Sequence, residues 1–241
     1  MFNSRTRTQF VRRMTSRCLS GVGLAMLCAG AAMAQQHPDL SGYWELRYDS
    51  FNVPQASVTP GIQAGTAAQI RHDVDAVRWC DPIGVPAIMG DRAPLDLRQS
   101  ASVIGIVAKS PSSQRYIYLD GRKHPDKDEL DATTNGHSIG QWEGETLVVD
   151  TIGFNDRGVT RLPGGGVRTP NSHLTERYRL MSNGQRLDVT FTWQDATVFT
   201  KPHTYEFRYY RIPDITEPRI FLCNAKDPER AKFLLEPPAA K

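Results

Sequence analysis

Past residue 40 the apolar positions recur with a period of two far more often than with the period of a helix, and period two is the signature of strands with one buried face. Arg186–Trp193 alternates cleanly, with Leu187, Val189, Phe191 and Trp193 on one side. Leu174–Leu180 and Tyr205–Ile212 alternate in the same way, while Ser102–Lys109, Arg115–Asp120 and Glu145–Phe154 are nearly continuous β-rich runs. Ser182-Asn-Gly-Gln185 lies between two of these runs and predicts a hairpin turn. Pro163-Gly-Gly-Gly166 predicts a mobile loop. Helical spacing is scarce: Ile62–Val77, with Ala67, Ile70, Val74 and Val77 on one face, predicts one helix, and Pro228–Leu235 adds a turn or two. Many short strands separated by turn residues predict a mainly β protein, an antiparallel barrel of about eight or more strands around a ligand cavity, with a two-sheet β-sandwich as the alternative.

The first residues follow another pattern. Arg5, Arg7, Arg12, Arg13 and Arg17 precede an apolar run from Leu19 to Met33, which ends at Ala32-Met33-Ala34. A basic region, a short apolar stretch and an A-x-A site are the parts of a secretory signal peptide, and the run falls short of the ~20 residues that span a bilayer. The expectation is cleavage after Ala34, leaving residues 35–241 as a single periplasmic or secreted β-rich domain with a frayed C-terminal tail and no membrane span. Cleavage changes the charge balance. Of 29 basic and 26 acidic residues the signal removes five basic ones, leaving 24 against 26. The footprint of a nucleic-acid binder is therefore missing. Cys18 and Cys28 leave as well, and Cys80 and Cys223 remain as an even pair in an oxidising compartment, for which a disulfide is the expectation and two separate thiols the alternative.

Gly136-His-Ser-Ile-Gly140 matches the G-x-S-x-G nucleophile elbow, with Asp150 or Asp156 and His173 following in the order acid, His. That elbow needs a strand before it and a helix after it; here a polar, acidic segment precedes and a strand follows. The longer run Gly136-His-Ser-Ile-Gly-Gln-Trp-Glu-Gly-Glu-Thr-Leu-Val-Val-Asp-Thr-Ile-Gly-Phe-Asn-Asp156 resembles a family of secreted bacterial proteins. Ile117–Pro125, Cys80–Pro86, Ser172–Tyr178 and the late Cys223 are similar to the same family, with departures at His203 and Asn135, where that family has an aromatic residue nearby. The resemblance supplies a family and no reaction. Separately, Asp39-Leu-Ser-Gly-Tyr-Trp44 resembles the Gly-x-Trp first strand of lipocalin-like calycin barrels.

These segments carry the candidate chemistry. Asp120, Arg122 and His124 follow a strand, His137 and Ser138 stand in a loop before the next, Asn155 and Asp156 end that strand, and His173 opens another. Glu176 falls among Leu174, Tyr178 and Leu180, where a carboxylate costs free energy to bury unless it is paired. One reading makes His137 and Glu176 proton-transfer groups, with Asp120 orienting a His or an Arg, Arg122 stabilising an anionic oxygen and His173 in reserve. His124, Ser138, Asn155 and Trp142 would then contact substrate. A structural reading stands beside it: Asp120 and Arg122 hold a turn, and Glu176 pairs with an Arg inside the barrel. His124, His137, His173 and Glu176 also contain metal-ligand types, but their spacing matches no compact zinc motif, so a divalent metal is the lesser expectation and no cofactor the main one. The functional expectation is a lyase, isomerase or hydrolase acting on a small apolar or aromatic compound. A non-catalytic ligand-binding protein and a serine hydrolase using Ser138 are the alternatives. Export argues against routine use of soluble NAD or ATP.

Overall fold

In a computed structural model the described residues are 37–47, 53–62, 67–90, 94–108 and 113–212. The expected signal peptide, Cys223, the helical turns expected at Pro228–Leu235 and the expected frayed tail lie outside them. Nine strands form one closed barrel in sequence order: β1 (Gly42–Leu46), β2 (Leu95–Gln99), β3 (Val103–Val107), β4 (Gln114–Tyr118), β5 (His137–Glu143), β6 (Thr146–Ile152), β7 (His173–Met181), β8 (Arg186–Gln194) and β9 (His203–Ile212). The mainly β, lipocalin-like barrel expected from the alternation is what the chain forms. One pair departs from antiparallel: β4 and β5 run parallel, with Ile117 opposite Ser138 and Tyr118 opposite Ile139. Parity requires it. A ring of antiparallel neighbours closes only with an even number of strands, so nine strands must include a parallel pair. That pair needs a crossover, and residues 119–136 supply it.

Most inward positions are apolar, and many carry large side chains. Trp44, Trp193, Tyr178, Tyr209, Phe154, Phe191 and Phe207 are fully buried. The Phe191 ring lies 5.0 Å from Tyr205 and 5.2 Å from Phe207. Ile83, Val85, Ile88 and Met89 pack into the same core, and the Tyr209 hydroxyl donates to the Met89 carbonyl at 2.7 Å. These large side chains occupy much of the barrel interior.

Helix α1 spans Ala67–Arg78. Its buried face is centred on Asp73, Ala76 and Val77, while Ile70 is exposed. The face is turned from the one expected because Asp73 accepts hydrogen bonds from the Thr160 amide at 3.1 Å and from Arg161 Nε at 2.7 Å. The turn at residues 182–184 connects β7 and β8 as expected. Strand β5 is a correction, since His137 and Ser138 lie on it and not in a loop. Its inward positions are Ser138, Gly140 and Trp142, too polar and too small to read as a strand. Gly140 is small for a reason: a Cβ there would meet Leu119 Cδ2 at 2.7 Å. Strand β2 gave too short a signal, with Leu95 and Leu97 as its inward apolar residues.

The Pro163–Gly166 loop is pinned. Gly164 has φ +78° and passes so close to Pro54 that a Cβ would lie 2.2 Å from its carbonyl oxygen. Gly164→Ala is expected to cost roughly 1–3 kcal/mol for the overpacking, added to about 1–2 kcal/mol for the left-handed backbone. Urea unfolding checks this; a change below about 0.5 kcal/mol would show that the loop yields instead.

Candidate functional site

The expected site residues divide between two faces of one wall. On β4, β6 and β7 the inward parity falls on Arg115, Thr151, Glu176 and Tyr178, and on β5 it falls on Ser138; all are buried. Glu176 therefore sits inside the barrel, where it accepts hydrogen bonds from Arg115 Nη1 at 2.8 Å and from the Tyr178 hydroxyl at 2.9 Å. Its other oxygen takes Arg115 Nη2. The same guanidinium donates to Ser138 Oγ and Thr151 Oγ1, each at 3.0 Å, and those two hydroxyls bond each other at 2.9 Å. Burial works against the Arg115 charge, but the Glu176 carboxylate beside it outweighs that and raises its pKa. Burial and the same carboxylate push the Tyr178 phenol well up. Both Glu176 oxygens are engaged, which suits an interior ion pair better than proton transfer. Ser138 Oγ bonds Arg115 and Thr151, and His137 points to the opposite face, so the strained strand-to-helix turn of a serine nucleophile is not what holds it.

The outward parity of the same strands presents His137, Asp150 and His173, and the crossover lays His124 across them. A continuous hydrogen-bonded chain results. His137 Nδ1 lies 2.8 Å from His124 Nδ1, His124 Nε2 lies 2.9 Å from Asp150 Oδ2, and His173 Nε2 lies 2.5 Å from Asp150 Oδ1. Asp150 and His173 are half-exposed and His124 is largely covered. Beyond His137 the chain continues by stacking: the Tyr118 ring is 5.4 Å from the His137 ring, and Arg122 lies 3.8 Å over Tyr118. Asp120 grips Arg122 with both oxygens, at 2.9 and 3.0 Å to Nε. Asp120 thus orients an Arg, as one reading expected, and that pair also closes a turn, as the other did.

The environments along this chain differ. Burial, with His124 and Arg122 adding to it, holds the His137 pKa below the ordinary histidine value. The hydrogen bond to Asp150 raises His173. Burial pushes the Asp150 carboxyl up, but the hydrogen bonds and charges of His173 and His124 prevail and hold it low. Two stability contributions follow. The raised His173 value stabilises the fold fully below about pH 6.5, and this is lost as pH rises through the folded pKa. The depressed Asp150 value stabilises above about pH 4, and this is lost as pH falls through its folded pKa. The advantage of the natural protein over Asp150→Asn is therefore expected to be greatest between about pH 4 and 6.5, and no more than about 1 kcal/mol because both groups are well exposed. Urea midpoints across pH check it; a pH-independent difference would remove the charge coupling.

A metal does not fit these residues. His124 spends its two nitrogens on two different partners, Glu176 lies inside the wall, and among the described residues no three His, Cys, Asp or Glu side chains are arranged to hold an ion. Asn155 lies in the loop after β6, where its side-chain amide donates to the Ala132 carbonyl at 3.1 Å. Trp142 stands apart, at the barrel mouth, in a cleft of about 440 Å³ that His37, Asp39, Gln99, Ser100, Ala101 and Leu119 also line. Its ring stacks on His37 at 4.9 Å, nearly parallel.

Comparison with protein families finds none that matches this chain, and comparison with curated proteins finds no relative. The site therefore stands on its geometry.

Sequence reasoning named His124, His137, His173 and Glu176 and missed what joins them. Arg115 read as one residue of a strand, and Asp150 entered as a possible acid for Ser138. The available signal was parity: Asp150 is the polar residue at an outward position of Leu147–Ile152. Arg168, also missed, is buried between loops, donating to the Thr134 and Arg157 carbonyls. Burial lowers its pKa to about 10. Among the described residues no helix is long and apolar enough to cross a membrane.

Proposed function

We propose that the protein is an exported acid–base enzyme, of lyase, isomerase or hydrolase type, whose reacting group is His137 on the outer wall of the barrel. One observation carries this reading: the half-open His137–His124–Asp150–His173 chain. A carboxylate accepts only, so His124 Nε2 is an N–H donor to Asp150. With His124 neutral, its Nδ1 accepts from His137 Nδ1–H, which leaves His137 Nε2 to face a substrate. When Nε2 takes a proton from a carbon acid or a water, the Nδ1 proton passes to His124, and the positive charge comes to rest against Asp150. A His137 of lowered pKa is neutral at pH 7 and ready as a base, and the relay stabilises the charge it would otherwise hold poorly. The Tyr118 ring offers a small aromatic compound a face to lie on, and Arg122 offers an anionic oxygen a partner.

Export through cleavage after Ala34, residence in the periplasm or outside the cell, and a Cys80–Cys223 bridge belong to the same proposal. The bridge would close a loop of over 100 residues, worth about 4–5 kcal/mol by chain entropy; thiol counting on the unreduced mature protein checks it.

The experiment is a turnover screen of the mature protein against small aromatic esters, lactones and enolisable ketones, including proton exchange at carbon in deuterated water. The expected result is turnover above the buffer rate that falls away in acid as His137 is protonated. Turnover that survives His137→Ala sinks the reading. The second reading, a non-catalytic ligand-binding protein, is favoured by the mouth cleft with its Trp142–His37 stack; saturable binding lost in Trp142→Ala, without turnover, would establish it.

A further inference from the structure

We propose that the outer face of β3 and β4 is a ledge on which the substrate of His137 lays an extended aromatic body, and that this substrate is an aryl acid of two or more rings with its anionic group on Arg122. The inference rests on the proposed role of His137 and names the substrate class for that site.

A barrel strand with one face in the core should alternate apolar with polar residues. β3 does not. Val103, Ile104, Gly105, Ile106 and Val107 leave no polar side chain on either face. Ile104 and Ile106 are buried inside the barrel, so Val103, Gly105 and Val107 face outward. β4 continues the apolar surface with Tyr116 and Tyr118. Among the described residues four large apolar side chains are exposed, and two of them stand here, Val107 at 45% and Tyr116 at 50%. Exposed apolar side chains that gather in one place mark interaction sites more often than scattered ones do. On β2 the surface ends, because the outward Asp96 and Arg98 pair with each other. Strand register aims the ledge at the site. Gly105 lies opposite Tyr116, and the parallel pairing that sets Ile117 opposite Ser138 puts Tyr116 level with His137. Gly105, Tyr116 and His137 form one row across three strands, roughly 10 Å long at the usual strand spacing.

Gly105 is the second observation. A glycine inside a strand weakens it, and this one answers no need of the barrel. Its backbone is not left-handed. It opens no bulge, since Arg98 and Tyr116 both pair with it in unbroken register. A Cβ there would meet Tyr116 Cε1 at 3.8 Å, an ordinary contact, whereas at Gly140 and Gly164 it would collide. The remaining reason for a strand glycine is close approach of something outside the strand. A flat ring can lie against the wall at that point, and a valine would hold it off. Charge stands at the other end of the row. Arg122 lies 3.8 Å over Tyr118, Asp120 takes its Nε and Nη2, and none of these bonds uses Nη1. The adjacent Lys123 is exposed. An aromatic body beside a cationic end selects an aryl carboxylate or phenolate.

The test uses the purified full-length protein, with 2-naphthoate and benzoate as probes and the backbone amide spectrum as the readout. 2-Naphthoate is expected to bind more tightly than benzoate and to move the Gly105 and Tyr116 amide signals. Gly105→Val should lower the preference for 2-naphthoate over benzoate about tenfold, the worth of a good aromatic contact, with a melting temperature no lower than the natural protein's. Arg122→Gln should weaken both acids and leave the preference as it was. An unchanged preference in Gly105→Val overturns the inference. So does a Gly105→Val that melts earlier and binds both acids as before per folded molecule, since the glycine then serves the barrel by making room for Tyr116. The two readings fail separately. Turnover that depends on His137, with no movement of Gly105 or Tyr116, overturns the ledge alone. Ledge binding by a protein that turns nothing over overturns the role of His137, and with it the claim that the ledge selects a substrate.

Discussion

Arg115→Met is expected to destabilise the protein by about 3–5 kcal/mol, the usual cost of removing one member of a buried ion pair. For a domain of this size that is a fall in melting temperature on the order of 10 °C. Arg115 is 1% exposed and Glu176 is wholly buried. Without the guanidinium, Glu176 keeps only the Tyr178 hydroxyl. Arg115 also crosses the weakest part of the wall. The β4–β5 pair has two residue pairs in register, against nine for β7–β8, and Arg115 on β4 bonds Ser138 on β5, Thr151 on β6 and Glu176 on β7. Its side chain joins strands that the backbone joins only briefly. Glu176→Gln should cost a similar amount, since it strands the cation instead. The double variant Arg115→Met with Glu176→Leu should recover much of the loss, because two apolar side chains replace two charges. Recovery stays incomplete: the Tyr178 hydroxyl is orphaned, at about 1–3 kcal/mol, while Ser138 and Thr151 retain each other. Urea unfolding of the three variants decides the matter. Single variants within 1 kcal/mol of the natural protein, or a double variant as unstable as the sum of the singles, would show that the pair does not act as a unit.

The second large effect is on turnover. His137→Ala is expected to lower it by about 10²–10⁴-fold, the range for loss of a positioned general base. His124→Asn should lower it by less, because His137 stays in place as the base and loses only the partner that takes its Nδ1 proton. The pH profile is the readout a merely structural role would not move. Without the relay the acid limb, set in the natural protein by His137 below the ordinary histidine value, should shift. Neither variant should change stability by more than about 1 kcal/mol, because the chain is partly open to water. If both unfold readily and keep their turnover per folded molecule, the chain is a clip that holds the crossover to the wall.

How far the sequence can be read depends on whether a residue's partner is local. Strands β7 and β8 were legible because Leu174, Tyr178, Leu187, Val189, Phe191 and Trp193 mark one face by themselves. Glu176 stood out on that face as a carboxylate in need of a partner. Its partner, 61 residues earlier, could not be found, since which strands become neighbours is settled by closure of the ring. β5 was illegible because its inward positions answer to other strands: Ser138 is polar for Arg115, and Gly140 is small for Leu119. The three histidines were found as types in three segments. That two of them face outward, with Asp150 between them and His124 laid over from a loop, follows from strand parity and the route of the crossover. Parity is written locally, in the alternation of Leu147–Ile152; the route of the crossover is not.

That route is a matter of counting. An even ring joined throughout by hairpins brings every connection back at the end of the wall where the preceding strand finished. An odd ring must contain one parallel pair, and here that pair is the consecutive β4 and β5 while β1 and β9 close antiparallel, so the segment between β4 and β5 has to travel the full height of the wall to restart at the other end. Here the travelling segment carries His124. The place where imidazoles and carboxylate meet is thus the address at which an unpaired strand direction is reconciled, and a version of this barrel with one strand more or fewer would have no reason to lay a loop there.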